Sequence, residues 1–179
     1  MSPQTPIPSL NSLEYLPYLD ENGSIEPVWQ GKIGVYAIFD RDKVLQFVGY
    51  SRNIYLSLKQ HLVRCPQSCY WVKIEMIARP SRTILEEIKK SWIEENGFLP
   101  IGNDTEENKW NKPLDVKPLM TAEDKAEYNK LEEIAQIKLL KKIARRFEEE
   151  ILETLKDRGV NMDIRFNPKL KEQGLLDLK

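Results

Sequence analysis

Residues 34–51, GVYAIFDRDKVLQFVGYS, constrain the fold more than any other stretch of the chain. Two runs rich in β-branched and aromatic residues, 33–39 and 44–48, flank the charged tetrapeptide DRDK. Such residues favour strands, and a short polar connection between two strands is typical of a hairpin. The stretch therefore predicts two adjacent antiparallel strands.

The residues after the hairpin predict a small α+β domain in the order ββαβα, with a three-stranded antiparallel sheet flanked by helices. Asn53 and Ser81 each precede an apolar pattern of helical spacing and can cap a helix, and Gly97 can end the second helix in the left-handed conformation. Alternation over residues 71–77 predicts the third strand. The apolar residues predicted to face inward from the two helices are Ile54, Leu58, Leu62, Ile84, Leu85, Ile88 and Trp92.

The flanking segments predict an N-terminal arm, a linker and a helical extension. Leucines recur at every third residue from 10 to 19 and predict a short helix or turn within the arm, 1–30. Residues 104–120 are polar and proline-interrupted, which is typical of a linker after a domain spanning 31–103. In the extension, 121–179, a capping pattern at Thr121 and apolar positions up to Gly159 predict a helix of about 37 residues, or about 55 Å, that either docks on a partner or breaks near its middle.

Composition indicates a globular protein, with 41% hydrophobic and 31% charged residues among 179. The sequence has neither an apolar run long enough for a membrane span nor a secretory signal in MSPQTPIPSL, so we expect a cytoplasmic protein without a membrane partner. Residues 31–64 carry six bases against two acids, a modest patch compatible with phosphate binding. The candidate nucleic-acid-binding residues are Lys32, Arg52, Lys59 and Arg64.

Two cysteines, Cys65 and Cys69, are spaced C-x₃-C. Together with His61, the single histidine, they would leave a structural zinc ion one ligand short. A redox pair stays open, although the spacing differs from the C-x-x-C of thiol oxidoreductases. The alternative is a turn containing a buried cysteine.

The hairpin carries two triplets, GVY near its start and FVG near its end, followed by YSRN at the beginning of a helix. In this order they resemble the GIY-YIG nuclease superfamily. The segments LQFVGYSRNI, WIEENG and PIGN, with Cys69, are similar to the N-terminal domain of plant plastid monothiol glutaredoxins and to free-standing cyanobacterial relatives. The resemblance covers about residues 9–103 and implies the GIY-YIG fold.

The resemblance implies a site for metal-dependent cleavage of DNA or RNA. Family members use a first-motif tyrosine as the proposed base, and that tyrosine falls on Tyr36. The late asparagine of the family falls on Asn103, and the helix histidine of some members falls on His61. If activity survives, the resemblance implies Mg²⁺ or Mn²⁺ as cofactor.

The same resemblance implies a degenerate site, because three family positions are changed. Phe47 replaces the second-motif tyrosine, Ser57 replaces the arginine that stabilises charge on phosphorus, and Lys89 replaces the metal-binding glutamate. Glu86 lies one helical turn before Lys89 and could offer a displaced carboxylate for the metal, while Arg64 could reach back as a substitute cation. Losing one preorganised catalytic donor costs about 10²–10³ in rate, so we expect weak or lost cleavage.

Three functions follow as hypotheses. The first is an endonuclease with a rearranged site. The second is a module that binds nucleic acid, or a protein partner through residues 121–158, without catalysis. The third is redox regulation through Cys65 and Cys69. Nucleic-acid binding with weak or lost cleavage is the function that we expect.

Overall fold

A computed structural model describes residues 6–179 and divides the chain into two compact units, one ending at Asn111 and one spanning Lys112–Lys179. The strands of the first unit are β1 (Leu16–Pro17), β2 (Ile33–Phe39), β3 (Leu45–Ser51) and β4 (Trp71–Ile77). Its helices are α1 (Ile54–Arg64), α2 (Arg82–Asn96) and α3 (Glu107–Asn111). Short 3₁₀ helices occupy Leu10–Ser12, Pro27–Trp29, Pro66–Ser68 and Ile101–Asn103. No helix in the range 6–179 is long and apolar enough to cross a membrane.

The sheet of the first unit has the order β1-β4-β2-β3, and each neighbouring pair is antiparallel. The prediction of an α+β domain is confirmed, but the prediction of three strands is wrong because β1 adds a fourth. The leucine-rich stretch, predicted as a short helix or turn, forms a 3₁₀ helix over Leu10–Ser12 and then continues into strand β1. Pro17 cannot donate a hydrogen bond inside a helix, whereas an edge strand tolerates it.

The two faces of the sheet carry different helices, and this arrangement places the site. In one core, Val35, Ala37 and Val48 pack with the inward residues of α2, Leu85, Ile88 and Trp92. The opposite face carries Tyr36, Ile38 and Phe47 and is covered by α1, whose Ile54, Leu58 and Leu62 are buried as predicted. Ile84 was predicted to face inward but is 46% exposed.

Local signals fix the helix ends as predicted. The Asn53 side chain accepts a hydrogen bond from Leu56 N, and the Ser81 side chain accepts one from Ile84 N. Gly97 ends α2 with φ of 89°, in the left-handed region that favours glycine. The helix ends therefore follow from short-range chemistry in the sequence.

The second unit contains β5 (Leu114–Asp115), α4 (Ala122–Lys130), α5 (Glu133–Arg158), α6 (Pro168–Lys171) and β6 (Leu175–Leu176). The predicted 37-residue helix breaks after Lys130, so a helix of 9 residues precedes one of 26. Thr121 and Asp124 form the predicted capping box. The Asp124 carboxylate also pairs with Arg146 of α5 at 2.6 Å, which lowers the pKa of Asp124 to about 2. Residues 104–120, predicted as a linker, hold α3, β5 and a 3₁₀ turn.

Candidate functional site

A groove of about 340 Å³ lies along β3, the edge strand of the sheet. Strands β2 and β3, helix α2 and the segment from Leu99 to α3 all contribute side chains to it. The polar side chains and the glycine that the groove presents are Tyr36, Gly49, Tyr50, Lys89, Asn103, Glu107 and Asn111. The structure therefore brings Tyr36, Lys89 and Asn103 together along one groove.

Tyr36 forms the centre of the site and is paired with His61. The Tyr36 Oη and His61 Nε2 atoms are 2.8 Å apart, and the two side chains are only 3% and 4% exposed. Burial raises the pKa of Tyr36 well above its ordinary value, an effect that the Ser57 hydroxyl and Arg64 only partly offset. Burial, and then the positive charge of Arg64, lower the pKa of His61 to about 3. At neutral pH the pair is therefore a protonated phenol and a neutral imidazole.

An aromatic wall surrounds the Tyr36–His61 pair. Phe47 stacks on Trp110 with ring centroids 5.1 Å apart, and His61 lies 5.5 Å from Trp110. Trp110 is fully buried. Gly49 leaves room for this packing, because a Cβ atom there would lie 2.5 Å from Phe47 Cε1 and 3.0 Å from Tyr36 Oη. The packing lets the Tyr36 phenol reach the groove and keeps water away from His61.

Ser57, at the family's arginine position, forms a hydrogen bond within the first unit. The suggested substitutes, Arg64 and Glu86, also form hydrogen bonds there. Ser57 Oγ donates to Ser51 Oγ at 2.6 Å. Arg64 Nη1 donates to the carbonyl of Trp110 at 2.9 Å, which ties α1 to α3. Glu86 accepts a hydrogen bond from Tyr50 Oη at 2.6 Å. Each group therefore supports the walls of the site.

Lys89 and the acidic residues decide whether the groove can hold a metal ion. Lys89 lines the groove, with its Nζ atom 5.8 Å from the centroid of the Tyr50 ring. Glu107 is the carboxylate of the groove lining, while Glu86 is held by Tyr50. Over residues 6–179 no group of three or more His, Cys, Asp or Glu side chains is arranged to hold a metal ion. The donor set of the groove therefore does not fit Mg²⁺ or Mn²⁺, which prefer several oxygen ligands.

The residues predicted to bind nucleic acid lie at different places in the first unit. Lys32 and Arg52 are both exposed and lie together where the sheet meets α1, because Ile54 N donates to the Lys32 carbonyl at 3.0 Å. Lys59 is half-buried on α1. Lys89, which the resemblance places at the position of the metal-binding glutamate, is the lysine that lines the groove.

Cys65 and Cys69 are both buried, and their thiols are not joined in a disulfide. Burial raises the pKa of Cys65 to about 12, so its thiolate is scarce at neutral pH. Since the thiolate is the reactive form, this environment does not favour the redox hypothesis.

Asn103 connects the loop after α2 to the edge of the sheet. Its Oδ1 accepts a hydrogen bond from Val48 N, and its Nδ2 donates to the Val48 carbonyl, both at 2.8 Å. Both polar atoms of the side chain are therefore used in holding β3.

Replacement Asn103→Ala is expected to destabilise the first unit by about 1–3 kcal/mol, because both backbone groups of Val48 lose their partner. Urea unfolding followed by tryptophan fluorescence measures the loss. Asn111→Ala is the matched control, since Asn111 lines the same groove but bonds only the Glu107 carbonyl of its own helix at 2.9 Å. Equal losses in the two variants would contradict the structural role of Asn103.

Sequence reasoning missed Glu107 and Asn111, which lie one turn apart on α3. They fall in the segment predicted as a linker. The sequence also did not predict that Trp110 belongs to the site. The helical spacing of Glu107 and Asn111 within a polar segment was the available signal, but nothing in that spacing connects α3 with β3.

No known family description matches the chain. The bifunctional monothiol glutaredoxin-S16, chloroplastic, of Arabidopsis thaliana is 38% identical to it over 110 residues, which are 59% of this chain and 36% of that protein. The chain is thus similar to a plastid monothiol glutaredoxin, as the sequence resemblance implied, and matches about a third of its length.

Proposed function

We propose that the first unit is a GIY-YIG-like domain that binds the phosphate backbone of DNA or RNA in the groove at Tyr36, with weak or lost metal-dependent cleavage. The observation that carries this proposal is the position of Tyr36, whose phenol lies against His61 and lines a groove shared with Lys89. The motif resemblance supports it, whereas the likeness to a plastid monothiol glutaredoxin bears on the redox hypothesis instead.

Binding follows from the groups that the groove presents. The Lys89 ammonium supplies a positive charge for a phosphate oxygen. When the proton of the neutral imidazole lies on Nε2, His61 donates to Tyr36 Oη, and the Tyr36 O–H can donate to the same phosphate. Because Lys89 is the one cationic side chain that the described residues contribute to the groove lining and Glu107 also lines it, we expect modest affinity that decreases with salt.

Efficient hydrolysis needs groups that the site does not offer. The raised pKa of Tyr36 opposes formation of the phenolate that would activate water. Ser57 carries no charge to stabilise the oxygens on phosphorus, and the donor set does not fit a divalent metal ion. Since electrostatic placement supplies much of the rate of such reactions, cleavage should be slow or absent.

Replacement Lys89→Glu is expected to weaken binding of a fluorescein-labelled DNA duplex about tenfold or more, because it puts a negative charge where the groove has a positive one. Fluorescence anisotropy at low salt, using the full chain, measures this affinity. Lys90→Glu is the matched control, since Lys90 is the next residue of α2 and its side chain is 78% exposed.

Two results would contradict the proposal. Absence of saturable binding by the wild-type chain would remove the nucleic-acid function, and equal weakening by both variants would remove the groove as its location. Incubation of the same duplex with Mn²⁺ tests the catalytic part. Rapid nicking that Tyr36→Phe abolishes would show that cleavage has not been lost.

A further inference from the structure

Another pocket of the first unit, of about 270 Å³, lies between the N-terminal segment, the sheet and the end of α2. We call it the strap pocket. The residues of its lining that matter here are Leu10, Tyr15, Lys43, Lys73, Glu95 and Phe98. Two lysines in one small pocket distinguish it from the groove at Tyr36, which has one.

Lys73 is a buried lysine on strand β4. Its side chain is 3% exposed, and its Nζ atom donates to the Leu10 carbonyl at 3.0 Å. The same ammonium lies 4.0 Å from the centroid of the Tyr15 ring. An ammonium group has three N–H donors, and this hydrogen bond uses one of them. Burying such a group is costly unless further partners compensate for lost water.

Lys43 brings a second ammonium group to the same ring. It has φ of 63°, the one positive value for a non-glycine residue between 6 and 179. The Asp40 carboxylate holds this turn by accepting from Asp42 N at 3.0 Å and Val44 N at 2.9 Å. Lys43 Nζ then lies 4.8 Å from the Tyr15 centroid and 5.0 Å from the Trp71 centroid. The turn therefore directs a positive charge towards Lys73.

The acidic residue of the pocket, Glu95, holds the N-terminal segment and also attracts the Lys73 ammonium group. Glu95 accepts hydrogen bonds from Leu10 N at 2.9 Å and Asn11 N at 2.8 Å, through its two carboxylate oxygens. In the part of the chain that the structure describes, no carboxylate forms an ion pair with Lys43 or Lys73. The pocket thus carries two ammonium groups against one carboxylate.

We propose that the strap pocket binds a small oxyanion, a phosphate or carboxylate group, that carries an apolar substituent. The anion would accept hydrogen bonds from both ammonium groups, and charge-assisted bonds of this kind are the strong ones. The apolar substituent would pack on Tyr15 and on Phe98, which is 60% exposed at the pocket. This site is independent of nucleic-acid binding in the groove at Tyr36.

Isothermal titration of the full chain with phenyl phosphate, benzoate and inorganic phosphate tests the proposal at constant ionic strength. We expect one saturable site, tighter for phenyl phosphate or benzoate than for inorganic phosphate. The tighter of the two aromatic ligands identifies the head group. Lys43→Met and Lys73→Met should each weaken binding at least tenfold, whereas Lys90→Met should leave it unchanged.

The result that overturns the proposal is a lack of saturable binding for all three anions. Equal weakening by Lys43→Met and Lys90→Met would also overturn it, since it would show only a response to net charge. Lys43 is exposed on a turn, so Lys43→Met should fold even if Lys73→Met does not, and it decides the question alone.

Discussion

Lowering the pH from about 7 to about 3 is expected to remove about 4–5 kcal/mol from the free energy of unfolding of the first unit through His61 alone, at about 1.36 kcal/mol per pKa unit. The folded state holds His61 neutral, because burial lowers its pKa from 6.5 to about 3. The unfolded chain takes up a proton below about pH 6.5, while the folded chain does so only near pH 3. The stabilisation is therefore complete above pH 6.5 and is lost as the pH falls.

Urea unfolding at a series of pH values, for the wild-type chain and for His61→Gln, measures this effect. All four tryptophans precede Lys112, so their fluorescence reports on the first unit. The carboxylates titrate in both chains, and the difference between the two pH profiles isolates His61. Because the chain has one histidine, its NMR signal also gives the pKa directly. A titration near 6.5 or parallel pH profiles would contradict the prediction.

Replacement Trp110→Ala is expected to destabilise the first unit by about 3–5 kcal/mol, the range for truncating a buried tryptophan. Trp110 is fully buried, and its ring stacks on Phe47 and lies beside His61. The truncation would leave a cavity at the back of the groove. Fluorescence of the remaining tryptophans during urea unfolding measures the loss.

The same replacement should also raise the pKa of His61 towards 6.5. Water entering the cavity would reduce the burial that now disfavours the imidazolium. The acid destabilisation of Trp110→Ala should therefore be smaller than that of the wild-type chain. Trp110→Phe is the matched control, because it keeps an aromatic ring against Phe47. An unchanged His61 pKa in Trp110→Ala would show that Trp110 does not shield the imidazole.

Elements governed by neighbouring residues could be predicted from the sequence. The hairpin, the caps at Asn53 and Ser81 and the glycine stop at Gly97 depend on contacts a few residues apart. The meeting of Tyr36 with His61 across 25 residues was implied by the resemblance alone.

Elements that depend on distant pairing were missed. Leu16 pairs with Val72, and its position in a leucine pattern of period three gave no sign of that partner. Likewise, Glu107 enters the groove because Trp110 is buried against Phe47, a contact between segments far apart in the chain. The burial of Lys73 also depends on a contact between distant parts of the chain, since its hydrogen-bond partner is the Leu10 carbonyl.

The bonds between Asn103 and Val48 have a consequence for the behaviour of the protein in concentrated solution. Unpaired backbone groups on an edge strand invite pairing with another chain. Asn103 occupies both backbone groups of Val48, in the middle of β3, with its own amide, and on the opposite edge β1 is two residues long and contains Pro17. The middle of β3 and the short strand β1 thus offer little edge for a neighbouring chain to pair with, which disfavours ordered aggregation through these positions.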